Sequence, residues 1–79
     1  MDTAYLPADH RDAGANRVVA VLEEIRDGLM ARRAQTVKYR DEAKRTGDKQ
    51  AADEFYAMQD AYRAAIDDIA LFIQREQRT

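Results

Sequence analysis

With one histidine and no cysteine in 79 residues, the side chains most able to do chemistry are carboxylates, guanidinium and ammonium groups. Cysteine-free chains have no thiol nucleophile, redox pair, disulfide framework or thiolate zinc site. His10 sits in Asp9-His10-Arg11-Asp12, a polar stretch outside any apolar pattern, which marks a solvated side chain. Asp60 and Asp67 are two helical turns apart on one face, a spacing that could serve a divalent ion or an acid–base pair. No Glu-x-x-His accompanies them, and Asp67 and Asp68 flank an apolar stripe as a polar rim does. The three glycines are isolated, so no phosphate-cradling loop exists. No nucleophile, base and orienter combine, and we expect no enzymatic activity, cofactor or metal centre.

The arginines carry the stronger signal. At 100° per residue, Arg26, Arg33, Arg40 and Lys44 form one strip with Met30 and Val37 beside it. Residues 26–45 sum to +4, while the chain before and after each sum to −3, so the net charge of −2 conceals a basic segment between two acidic ones. Three uses of the strip compete. It could face Asp48, Asp53, Glu54 and Asp60 of the following segment and set helix register. It could bind an acidic protein surface, since arginine and methionine are enriched in interface cores. It could grip phosphates, although no recognition-helix motif is present and no aromatic residues interleave with the arginines for stacking. The partner-binding set is therefore Arg26, Met30, Arg33, Val37, Arg40 and Lys44, with an acidic protein as the expected partner and nucleic acid as the alternative.

These residues must be positioned by helices. Alternating β-branched runs are absent, and the 15 alanines favour helix. The one strong break is Thr46-Gly47-Asp48: Gly47 suits the left-handed position that ends a helix, and Asp48 can cap the next. The spacing predicts an all-α, antiparallel, coiled-coil-like hairpin over residues 16–79, with helices at about 16–46 and 49–77. A short N-terminal arm over 1–15, flexible or docked, precedes it; Pro7 also suits a helix start. A turn so short makes the helices antiparallel neighbours.

Ala51, Phe55, Met58, Tyr62, Ala65, Ile69 and Phe72 form the expected seam of the second helix, widened by Ile66 and Ile73. The first helix offers Val18, Leu22, Ile25 and Leu29, then continues through Arg32, Thr36, Tyr39 and Ala43, so the densest packing is expected far from the turn. Gly28 flanks this seam, which suggests close helix approach opposite Ile66. The core and dimer set is thus Leu22, Ile25, Leu29, Phe55, Met58, Tyr62, Ile66, Ile69, Phe72 and Ile73.

A lone hairpin of this size shares too little core to offset the ordering of its residues, which costs on the order of 1.5 kcal/mol each. The surplus stripe on the second helix fits a helix touching two neighbours, so a homodimeric four-helix bundle is expected. No run approaches the roughly 20 apolar residues of a membrane span, and no basic-then-apolar leader opens the chain, which points to the cytoplasm. The composition as a whole reads as a non-enzymatic interaction module, such as a small phage or bacterial regulator or inhibitor that binds a larger protein.

Overall fold

The computed structural model describes the backbone of residues 6–78 and the side chains of residues 17–78. Met1–Tyr5, Thr79 and the side chain of His10 lie outside the described residues. Among them the chain is all helical: α1 spans Leu6–Arg45, and α2 spans Lys49–Arg78. The two pack as an antiparallel hairpin, a rod 69 Å long and only 17 × 11 Å across.

The turn forms as its residue types require. The Asp48 amide donates to the Ala43 carbonyl (2.9 Å) and the Gly47 amide to that of Lys44 (3.2 Å), the paired bonds of a Schellman ending. Gly47 takes φ = 81°, a conformation that L side chains resist. Asp48 then changes role: its Oδ1 accepts from the Ala51 amide at 3.0 Å and its carbonyl accepts the first α2 bond from Ala52. One residue thus closes α1 and caps α2, while Lys44 and Arg45 occupy the negative end of the α1 dipole.

The first helix begins ten residues ahead of the expected boundary, so the segment from Leu6 to Ala15 continues α1. Pro7 lies in the first turn, where its missing N–H leaves no bond unmade. The register set at the turn brings the end of α2 beside about residue 18 of α1. Residues 6–16 therefore run past α2, with no second helix alongside.

The seam also differs from the expected one, by a rotation of each helix. Leu22, Leu29, Thr36 and Ala43 face α2 as anticipated, but the positions between them are Arg26, Arg33 and Arg40 rather than Ile25, Arg32 and Tyr39. On α2, Phe55, Tyr62 and Ile69 alternate with Ala52, Gln59, Ile66 and Ile73; Ile66 and Ile73 belong to the expected face, Ala51 and Ala65 are half-buried at its edge, and Met58 and Phe72 are exposed. Small residues line the seam near the turn. Ala43 and Ala52, 7% and 5% exposed, let the helices approach closely there. With Thr36 they are three of the four buried residues among those whose side chains are described, so three of the four lie in the half nearer the turn and one, Ile73, toward the open end. Thr36 satisfies its hydroxyl within its own helix, donating to the Arg32 carbonyl at 2.8 Å. Gly28 does not mediate a close approach: a Cβ built there meets nothing within 4 Å.

Candidate functional site

Arg26, Arg33 and Arg40 of the basic strip lie in the seam, and Lys44 also reaches α2. Arg40 is the most engaged, its side chain 18% exposed. One terminal nitrogen donates to Gln59 Oε1 at 2.9 Å, the other to Asp41 Oδ1 at 2.9 Å, and the guanidinium lies 4.8 Å from the Tyr56 ring centroid. Lys44 closes on the same ring from the next turn, donating to the Tyr56 hydroxyl at 3.1 Å. Such cation–ring contacts contribute about 0.5–1 kcal/mol each near a surface. Arg26 pairs with Asp27 at 3.3 Å, Val37 is half-buried, and Met30 stands exposed.

Arg33 behaves differently. Its Nε is buried without a hydrogen-bond partner, the one such side-chain atom among the described residues. It borders an open groove of about 630 Å³ together with Met30, Ala34, Arg63, Ile66 and Asp67. Arg63 had no place in the sequence-derived strip because it sits on the other helix. The antiparallel register through Gly47 was the available signal, since it sets residue 63 across from residue 33.

The seam separates two unlike flanks. One, marked by the Tyr56 cluster and the groove, carries Asp27, Asp41, Asp53, Asp60 and Asp67 interspersed with Lys44 and Arg63. The other is apolar along most of its length. Tyr39 and Phe55 stack there with centroids 5.7 Å apart. Along α1 this flank presents Val18, Val21, Ile25 and Tyr39, and along α2 it presents Met58 and Phe72, all exposed. Arg32, exposed, interrupts it midway. Ile25, Met58 and Phe72, assigned above to the core and dimer set, are 47%, 44% and 50% exposed. Of the rest of that set, Ile73 is buried, while Leu22, Leu29, Phe55, Tyr62, Ile66 and Ile69 are half-buried in the seam.

Among the described residues no group of three or more His, Cys, Asp or Glu side chains is placed to hold a metal ion, and no helix is long and apolar enough to cross a membrane. No protein-family model matches the chain, and no curated protein or solved structure is significantly similar to it.

Proposed function

We propose that this chain is a non-enzymatic protein–protein interaction module whose working unit is a homodimer, the apolar flanks of two hairpins meeting to form a four-helix bundle. The observation that carries the reading is the sidedness of the exposed apolar residues. Among the described residues four are buried, and none of the large side chains is fully buried. Yet six large apolar side chains share one flank: Val18, Val21, Ile25, Tyr39, Met58 and Phe72. The other three exposed large apolar side chains, Met30, Tyr56 and Leu71, lie off this flank, and a stripe that gathers six of nine, broken only at Arg32, supports an interface more than the scatter of a soluble monomer does. The stripe adjoins the seam, as the second contact surface of a bundle helix does. Small domains without disulfides or metals commonly reach stability by such association.

A module of this kind acts by occupying surface, which suits a small bacterial or phage regulator or inhibitor of a larger protein. The nucleic-acid alternative draws less support, because Arg26, Arg33 and Arg40 turn into the seam instead of forming an open ridge. Light scattering across a dilution series tests the assembly: we expect a mass near twice the 9.0 kDa of one chain. A constant single-chain mass, accompanied by a cooperative melt, overturns the reading.

A further inference from the structure

Along α1 a seven-residue repeat places an arginine in the seam and, next to it, a residue on the aspartate-rich flank: Arg26-Asp27, Arg33-Ala34, Arg40-Asp41. In the outer two repeats the adjacent carboxylate pairs with the guanidinium, at 3.3 and 2.9 Å. In the middle repeat alanine replaces it. Arg33 has no ion pair, its Nε is buried without a partner, and Ala34 lines the groove beside it. Arg63 enters from α2, also without an ion pair within 4 Å, so two guanidinium groups that lack an ion pair share one groove with Met30, Ala34, Ile66 and a single carboxylate, Asp67.

We infer that this groove receives a carboxylate from a partner protein: a glutamate on a partner helix, next to an aliphatic residue that packs on Met30 and Ile66. The incoming carboxylate takes the place that Asp27 and Asp41 fill in the neighbouring repeats, and the guanidinium fork of Arg33 is the group best shaped to accept it. Asp67 lies on the same groove and Asp60 close by on that flank, and neither forms an ion pair. They disfavour a strongly anionic partner and select one whose carboxylate is isolated among neutral residues. The inference rests on the chain being an interaction module and gives that module a second surface, distinct from the dimer flank.

The test uses a short helical peptide of leucine, alanine and glutamine with one central glutamate, titrated into the labelled full chain by NMR. The Nε–Hε resonance of Arg33 and the methyl signals of Met30, Ala34 and Ile66 report the groove directly. We expect these signals to move together, and a peptide with glutamine at the central position to bind at least about tenfold more weakly, as loss of a charged hydrogen bond implies. Ala34→Asp restores the repeat and supplies the carboxylate in cis, so it should weaken binding by at least about tenfold, while Ala34→Asn leaves it near wild type. Arg63→Gln gives a second weakened variant should Ala34→Asp disturb the helix content. Equal binding of the two peptides, wild-type affinity in Ala34→Asp, or no shift at millimolar peptide each overturns the inference. Light scattering on the same samples keeps the two proposals apart: a dimer that ignores the peptide loses only the groove, and a single chain that binds it loses only the dimer.

Discussion

Replacing Phe72 with alanine weighs the apolar flank against the seam. In the isolated hairpin Phe72 is half-exposed, so it has gained only part of the about 1.5–3 kcal/mol that full burial of such a side chain contributes. Its contact with Arg75, whose guanidinium carbon lies 5.7 Å from the ring centroid, adds a further ~0.5 kcal/mol. A hairpin that works alone should therefore lose about 1–2 kcal/mol on Phe72→Ala, with a midpoint independent of protein concentration. If a second copy covers the flank, the same change removes a buried phenylalanine and leaves a cavity, which costs about 3–5 kcal/mol per protomer. The neighbouring residue supplies the control. Ile73 is 6% exposed in the hairpin itself, so Ile73→Ala should cost about 2–5 kcal/mol whether or not a second copy binds. Urea unfolding followed by circular dichroism, at protein concentrations spanning two or three decades, reads both variants. The dimer reasoning predicts comparable losses for the two, with midpoints that rise with concentration. A loss near 1 kcal/mol for Phe72→Ala with a fixed midpoint, beside a large loss for Ile73→Ala, refutes it.

Other outcomes follow from single positions and are checked by thermal or urea melts. Gly47→Ala forces a side chain into a φ of 81° and should cost about 1–2 kcal/mol. Asp48→Ala removes the carboxylate that accepts from the Ala51 amide and should cost about 1 kcal/mol, with Asp48→Asn recovering most of it. Gly28→Ala places a methyl group in open space and should raise stability by up to ~1 kcal/mol; a loss would mean that something packs on this position. Arg33→Leu relieves a buried unpaired donor and should stabilise the chain by about 1–2 kcal/mol.

The hairpin, its turn and its capping residue were legible because each rests on local chemistry. Gly47 and Asp48 are the residue types that the turn needs, and no competing break lies within either long segment. Much of the seam was legible for the same reason, since Leu22, Leu29, Thr36, Ala43, Phe55, Tyr62, Ile66, Ile69 and Ile73 belong to both the expected face and the observed contact. The positions taken by Arg26, Arg33, Arg40, Ala52 and Gln59 were not. Apolar periodicity identifies which residues avoid water, but it does not say which neighbour covers them. Ile25 and Phe72 sit one position from Arg26 and Ile73, and a rotation of about half a residue's 100° step exchanges them. Long arginine stems tolerate the seam because their methylenes pack while their charged ends reach outward, so a basic residue there is no signal against burial. Arg63 and the groove depend on register between two helices, and Gly28 depends on the rotation, neither of which a single helix encodes. The start of α1 at Leu6 was ambiguous because Pro7 suits both a helix start and a loose arm.

The turn between the helices also dictates the order in which the hairpin can form. Ala43 and Ala52, its most tightly packed pair, are nine positions apart in the chain, so bringing them together closes a very small loop. Each successive layer toward the open end then adds to a structure already in place and meets little further closure entropy. The chain should assemble as a zipper that starts at Gly47, and it should open in the reverse order. Within the paired layers, amide protons of Val18 and Gln77 are expected to exchange first and those of Ala43 and Ala52 last.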